Sequence, residues 1–188
     1  MSIKDTTLTT YTINEKTKFI GDNVFYSCEN LIKITIPDSV IGIGQEVFGS
    51  SYFSACRRLA NITLGKSLRE IGDDTFAGCS SLKSVTIPDN VTSIGEGTFR
   101  DCTSLTSVTI PDSVTTIGVS AFYYCTSLTS VVIGEGVTSI GYSAFYNCTS
   151  LTSIKYRGTE EEWNAISKGS IWDAYTGEYT ITYNYTGE

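Results

Sequence analysis

Apolar residues recur every 23 positions along most of the chain. The stretch 105–127 reads LTSVTIPDSVTTIGVSAFYYCTS, and 128–150 reads LTSVVIGEGVTSIGYSAFYNCTS. Self-similarity at a fixed period of this size is typical of a solenoid, because one such unit cannot bury its apolar residues alone. The pattern therefore predicts about seven stacked coils around one core. The seven apolar slots of the first of these units are Leu105, Val108, Ile110, Val114, Ile117, Phe122 and Cys125.

Each unit divides into a predicted strand, a turn and a predicted helical segment. The pattern Leu-x-x-Val-x-Ile alternates and is rich in β-branched residues, which indicates a short strand. Pro111-Asp112 in one unit and Gly134-Glu135 in the next then predict a turn. Ala121, Phe122 and Cys125 fall at helical spacing, so one or two helical turns are expected on the opposite face. The predicted fold class is an α/β solenoid with a parallel sheet on one face and short helices or turns on the other.

The chain is predicted to be a single domain, residues 1–188, with a modified coil at its N-terminal end. Residues 8–30 are predicted to form this N-terminal capping coil, because Thr17 occupies a slot that is apolar in the other coils and one face of a terminal coil meets water. Residues 31–156 hold the repeats. Within them a five-residue insertion, GSSYF, is expected to bulge from the helix face.

Residues 157–188 depart from the period and are predicted to form a C-terminal cap. Thr159 and Glu162 form a capping-box pattern, so a short helix carrying Trp163 is expected to follow. Alternation over 179–185 predicts a final strand. The aromatic residues of this segment are expected to cover the open core of the last regular coil.

Composition and charge restrict the possible partners. The chain is 40% hydrophobic and 18% charged, with a formal net charge of −7. A negative charge argues against nucleic acid and anionic membranes as partners. No apolar run approaches the length of a membrane span, and the first 16 residues lack the apolar segment of a signal peptide. We expect a monomer that does not insert into a membrane.

The six cysteines are predicted to be structural thiols. Each occupies the same slot of successive coils, which places all six in one buried ladder of small apolar side chains. Equivalent Cβ atoms would then lie about one strand spacing apart, roughly 4.8 Å, whereas a disulfide requires about 3.8 Å. The chain has no histidine, and a linear ladder cannot supply a tetrahedral zinc site. Neither a metal nor a cofactor is expected. The cysteines are Cys28, Cys56, Cys79, Cys102, Cys125 and Cys148.

The chain is not predicted to be an enzyme. The absence of histidine removes the commonest general base and every Ser-His or Cys-His nucleophile pair. Asp73 and Asp74 lie at a turn, and the run 160–162 lies at the start of the predicted helix, where carboxylates interact favourably with the helix dipole. No convergent set of catalytic groups remains.

Two surfaces are candidate binding sites. Tyrosines gather near the helix edge, where exposed aromatics are typical interface anchors, although partial burial between coils would also explain them. The alternative is the concave sheet face, whose row of threonines is explained equally well by strand propensity. The tyrosines are Tyr52, Tyr123, Tyr124, Tyr142 and Tyr146, and the sheet row is Thr35, Thr63, Thr86, Thr109, Val132 and Lys155.

The repeated motif resembles a known family. The pattern C-x-S-L-x-S-V-x-I-P-x-S-V-x-x-I-G-x-x-A-F-x-x-C is similar to the BspA-like class of leucine-rich repeats, with repeats of 23 residues, and YRGTEEEWNAI resembles the C-terminal end of many such bacterial arrays. The resemblance implies a leucine-rich-repeat solenoid without catalytic residues, often on secreted or surface proteins. Because partners differ among members, no binding residue can be transferred.

We therefore expect a non-catalytic protein-interaction module, an extracellular or cell-surface domain for adhesion to or recognition of host, matrix or cell-surface proteins. One alternative is a cytoplasmic scaffold, which reduced thiols would favour. Another is a spacer domain of a larger surface protein or enzyme. The sequence does not identify the protein ligand.

Overall fold

The computed structural model describes residues 5, 7–25, 28–49 and 56–187, and the chain forms a solenoid of parallel strands. One strand of each coil lies on the sheet face. These strands are β1 (Thr10–Thr12), β3 (Lys33–Thr35), β5 (Asn61–Thr63), β7 (Ser84–Thr86), β9 (Ser107–Ile110), β11 (Ser130–Ile133), β13 (Ser153–Tyr156) and β15 (Thr180–Thr182). We number the coils from the N-terminus, so that coil five is 105–127.

A second, two-residue strand follows the turn of each coil and stacks on its equivalents. These strands are β2 (Phe19–Ile20), β4 (Gly42–Ile43), β6 (Glu70–Ile71), β8 (Ser93–Ile94), β10 (Thr116–Ile117), β12 (Ser139–Ile140) and β14 (Ser167–Lys168). The pairing keeps strict register, with Val108 opposite Val131 and Thr109 opposite Val132. Equivalent slots therefore lie next to one another, and the predicted parallel sheet is confirmed.

The core is a set of columns, and the most regular column is made of phenylalanine rings. Successive rings are stacked, with centroids 5.0–5.3 Å apart and interplanar angles of 5–13°. Tyr11 meets the first ring edge-on and Trp172 meets the last. The column is thus closed by an aromatic at both ends. Its members are Phe25, Phe48, Phe76, Phe99, Phe122 and Phe145.

The predicted helix in each repeat was wrong: the segment is a turn. Ser120 and Tyr124 both have left-handed backbone, with φ of 53° and 59°, and equivalent pairs recur in coils four and six. Two such residues four apart interrupt any helix. The amides of Ser120, Phe122 and Tyr124 instead donate to carbonyls of the next coil, at 2.9, 2.7 and 2.9 Å. We call these bonds between coils the turn ladder.

The insertion in coil two leaves the column intact. Phe48 stacks between its neighbours in coils one and three, and its carbonyl accepts the amide of Cys56 at 2.7 Å. In coil three, which has no insertion, the amide of Cys79 donates to the carbonyl of Phe76 in the equivalent bond, at 3.1 Å. Gly49 lies so close to coil three that a Cβ there would be 1.8 Å from a backbone carbonyl oxygen. The bulge was predicted for 49–53, and of these residues only Gly49 lies within the described part of the chain.

The C-terminal segment follows the path of a further coil although its sequence leaves the period. β14 pairs with β12, and β15 pairs with β13. The helix α1 (Glu160–Ala165) begins at a complete capping box formed by Thr159 and Glu162. Trp163 is buried and contacts Tyr156 and Trp172. The role of 157–188 as a cap stays a prediction.

The stack of strands is interrupted between coils three and four. The sheet face splits into β1-β3-β5 and β7-β9-β11-β13-β15, and the second row splits at the same place. In the described part of the chain, the amides of Lys83 and Gly95 make no bond to coil three, whereas the equivalent amides of Thr106 and Gly118 bond to coil four at 3.1 and 2.8 Å. The turn ladder is continuous here, with Phe76 donating to coil four at 2.9 Å, and the amide of Thr92 donates to the carbonyl of Arg69 at 3.5 Å.

The turn of coil three differs from those of coils two and five. The turn carboxylates Asp38 and Asp112 each accept an amide of the following coil, at 2.7 and 3.2 Å. Coil three has Lys66 at this position, and a lysine cannot accept the amide of Asp89. The side-chain amide of Asn90 donates instead to the carbonyl of Lys66, at 2.8 Å, so a different bond joins the turns of coils three and four.

Hydrogen exchange tests this interruption. We expect the amides of Lys83 and Gly95 to exchange on the order of tenfold faster than those of Thr106 and Gly118, because they lack the bonds that protect the latter pair. Equal protection of the two pairs would contradict the interruption.

Candidate protein-binding surfaces

The structure brings four of the five predicted tyrosines together on the outer side of the turn ladder. Tyr123 and Tyr124 have ring centroids 4.6 Å apart, and Tyr123 stacks on Tyr146 at 5.2 Å. Tyr142 lies with Tyr123 and Tyr146 around one shallow depression. Tyr52 is outside the described residues. The turn ladder fixes this arrangement because Tyr124 donates its amide to the carbonyl of Tyr146.

Two further residues extend the cluster, and the sequence prediction missed both. The ring of Tyr175 meets Tyr146 edge-on at 5.1 Å, and Ile171 borders the depression beside Tyr142. Both belong to the C-terminal segment, whose sequence no longer shows the period. The sequence did contain a signal, because Gly169 follows Gly141 by 28 residues. The same offset places Ile171 and Tyr175 at the turn positions that Ser143 and Asn147 occupy one coil earlier.

We define the tyrosine ridge as Tyr123, Tyr124, Tyr142, Tyr146, Ile171 and Tyr175. Much of it faces solvent: Tyr175 is 70% exposed, Tyr142 51% and Ile171 45%. The depression within it has a volume of about 390 Å³ and is also lined by Arg100. Rings this exposed are not explained by packing between coils alone, so the ridge is available to a partner.

The hydroxyls of Tyr123 and Tyr146 remain protonated at neutral pH. Burial raises the pKa of Tyr123, and the electrostatic effects of Tyr124 and Asp101 raise it further. Burial and the adjacent tyrosines likewise raise the pKa of Tyr146. Protonated phenols both donate and accept hydrogen bonds, so each ring offers an apolar face and a polar tip.

The sheet face is more polar than the tyrosine ridge. Thr63, Thr86 and Thr109 are exposed there, and Thr35 is half-buried. The row continues through Val132 and Lys155 in strict register, and the ammonium group of Lys155 lies 4.7 Å from the centre of the Tyr185 ring. Apart from this cation, the row presents hydroxyls and methyl groups without a large anchor side chain.

A groove breaks the sheet face at the interruption between coils three and four. It has a volume of about 650 Å³ and lies between Thr63 and Thr86. Ile62 and Leu64 line it and are only partly buried, unlike their equivalents in coil five. The sequence prediction missed this groove. Its signal is Gly65-Lys66 in place of the Pro-Asp turn found in coils two, four and five.

Comparison with known proteins settles the family. The family model for the BspA type leucine rich repeat region matches residues 2–51 and 46–167, in six copies. The chain belongs to this family. The resemblance inferred from the repeat motif is thus confirmed. A comparison with curated proteins finds no match.

Solved structures agree with the BspA-type fold. The T. pallidum leucine-rich repeat protein is 29% identical, with a TM-score of 0.73 over 86% of this chain and 73% of that one. A leucine-rich cell surface protein of Faecalibacterium prausnitzii is 30% identical, with a TM-score of 0.62 over 88% of this chain and 36% of that one. A Bacteroides ovatus leucine-rich repeat protein, 24% identical with a TM-score of 0.61, shares the fold over 91% of this chain and 50% of its own. The chain thus spans half or less of the last two proteins.

The cysteines of the BspA-type repeats are buried, and their thiols bond to neighbouring coils. From Cys56 onward, each thiol donates to the carbonyl of the phenylalanine one coil before its own, at 3.1–3.8 Å. Burial raises the pKa of all six thiols, to about 12 for Cys56 and Cys148. Within the described ranges, no three His, Cys, Asp or Glu side chains are grouped to hold a metal ion.

The described part of the BspA-type chain contains little helix. In the part that the structure describes, the helix is six residues long, and no helix is long and apolar enough to cross a bilayer.

Thiol labelling tests the structural role proposed for the cysteines. A maleimide should label few of the six in the native protein and all six in denaturant, because buried protonated thiols are poor nucleophiles. Their folded-state pKa values lie above the ordinary 9.0. The thiols therefore favour folding fully below pH 9.0 and lose this contribution as the pH rises towards about 12, so native labelling should accelerate across that window. Rapid labelling at neutral pH would contradict the proposed role.

Proposed function

We propose that the chain is a non-catalytic protein-interaction module that binds a protein ligand through the tyrosine ridge, as an extracellular or cell-surface adhesion or recognition domain. The observation that carries this proposal is the contact among exposed and half-buried rings across three neighbouring coils. Tyr123 and Tyr124, Tyr146 and Tyr175 come from successive coils and touch one another. No comparable group of large side chains occurs on the described part of the sheet face.

The energetics of interfaces favour the ridge. A few tyrosine, tryptophan and arginine side chains usually supply most of the binding energy of an interface. The ridge tyrosines are held by stacking and by backbone bonds between coils, so they lose little conformational freedom when a partner binds. Sheet threonines make good strand residues whether or not a ligand exists, and their presence therefore carries less information about binding.

Similarity to known proteins supports a location at the cell surface. The family occurs in proteins of bacterial surface type, and the Faecalibacterium prausnitzii protein is described as a cell surface protein. A cytoplasmic scaffold and a spacer within a larger protein are the alternatives. Buried thiols are compatible with the cell surface as well as the cytoplasm, because a thiol out of contact with solvent is protected from oxidation.

The sheet face is a second candidate site because of one feature. The groove between Thr63 and Thr86 exposes part of Ile62 and Leu64, which gives an otherwise polar face a place for an apolar side chain of a partner. A protein ligand that binds the sheet would be centred on this groove.

Paired surface variants test the two sites. Tyr123→Ser/Tyr124→Ser/Tyr146→Ser removes the centre of the ridge, and Thr86→Lys/Thr109→Lys obstructs the sheet. With a purified protein ligand obtained by pull-down, we expect the ridge variant to weaken binding at least about 30-fold, since hot-spot residues each contribute about 2 kcal/mol. The sheet variant should bind within about twofold of the unmodified protein. Circular dichroism must show both variants folded.

The opposite result reverses the assignment. Loss of binding only in the lysine variant would place the site on the sheet face. If both variants bind as tightly as the unmodified protein, both surfaces are excluded.

A further inference from the structure

The tyrosine ridge continues into carboxylates on the two preceding coils. Asp101 occupies the same turn position in coil four that Tyr124 occupies in coil five, and its amide donates to the carbonyl of Tyr123 at 2.8 Å. Glu96 occupies in coil four the position that Val119 occupies in coil five, and Asp73 occupies the same position in coil three. Glu96 and Asp101 are exposed, and Asp73 is half-buried. Together with Asp74, these residues form the acidic flank of the ridge.

Arg100 does not reverse the charge of this flank. Its guanidinium lies 3.4 Å from a carboxylate oxygen of Asp74 and 4.0 Å from one of Asp101. Two carboxylates thus surround one cation, and Asp73 and Glu96 add two more negative charges nearby. The whole chain also carries a formal net charge of −7, so the long-range field has the same sign as the local one.

The ridge itself favours cationic side chains over anionic ones. The faces of tyrosine rings carry negative charge density and attract Lys or Arg, with Arg the more frequent partner. Tyrosine faces exposed beside carboxylates therefore fit a guanidinium in two ways, by stacking on the ring and by pairing with an oxygen. An acidic segment would meet repulsion from both parts of the surface.

We propose that the ligand of the tyrosine ridge is a protein segment rich in arginine and lysine, which lies across the ridge and the acidic flank. This proposal rests on the proposed function of the ridge. The partner's apolar and guanidinium groups contact the tyrosines, and its remaining cations face Glu96 and Asp101. The charges steer association, and the rings supply most of the affinity.

A peptide selection tests the chemistry of the ligand. A random dodecapeptide display library is selected on the full chain and counter-selected on Tyr123→Ser/Tyr124→Ser/Tyr146→Ser, so that only peptides dependent on the ridge are kept. We expect arginine and lysine in these peptides at about twice their frequency in the starting library or more, with arginine the more enriched.

Two other outcomes separate the two proposals. Neutral or acidic peptides that depend on the ridge would overturn the basic ligand and leave the ridge as a binding site. Peptides that bind both proteins equally, or no enrichment at all, would contradict the ridge as the site and the basic ligand with it.

A charge variant then tests the acidic flank with a selected peptide. Asp73→Asn/Glu96→Gln removes two carboxylates, and Asn at 73 can still accept the amide of residue 96 that Asp73 accepts at 2.8 Å. We expect about fivefold weaker binding by fluorescence anisotropy, and a smaller loss of affinity on adding salt. The control Glu160→Gln/Glu161→Gln removes the same charge from α1 and should change affinity less than about twofold. Equal losses in the two variants would overturn a specific role for the flank.

Discussion

The stacking of equivalent side chains in register is the constraint on which the rest of this structure depends. A parallel coil can bury its apolar residues only against a copy of itself, so every slot must face the same slot in the next coil. The phenylalanine column shows how strictly this holds, since ring spacing stays within 5.0–5.3 Å even where coil two carries an insertion. The insertion therefore leaves the column undisturbed.

The same constraint places the candidate binding groups. The turn ladder fixes the backbone of coils five to seven, so Tyr123 and Tyr146 stack for the same reason that Phe122 and Phe145 do. Inside the solenoid this register yields an apolar column, and outside it yields the tyrosine ridge. The register also gives the thiols from Cys56 onward the same partner, a phenylalanine carbonyl of the preceding coil, as Cys125 has in Phe99.

The sequence was informative where side-chain identity determines the structure, and less so where the backbone determines it. Period and β-branched slots predicted the strands of the sheet face, their register and the family, but not the second row of two-residue strands. They did not predict the turn, because Ala121, Phe122 and Cys125 have a spacing that suits a helix, whereas the left-handed backbone of Ser120 and Tyr124 is not visible in residue types that rarely adopt it. Ile171 and Tyr175 were missed because an inserted helix shifts the period.

Measuring the free energy of unfolding of Phe122→Ala beside Thr109→Ala tests the in-register column most directly. Both residues belong to coil five, but Phe122 is fully buried between two stacked rings and Thr109 is exposed. An in-register column predicts a loss of about 3–5 kcal/mol for Phe122→Ala and under about 1 kcal/mol for Thr109→Ala. Similar losses for the two variants would contradict it.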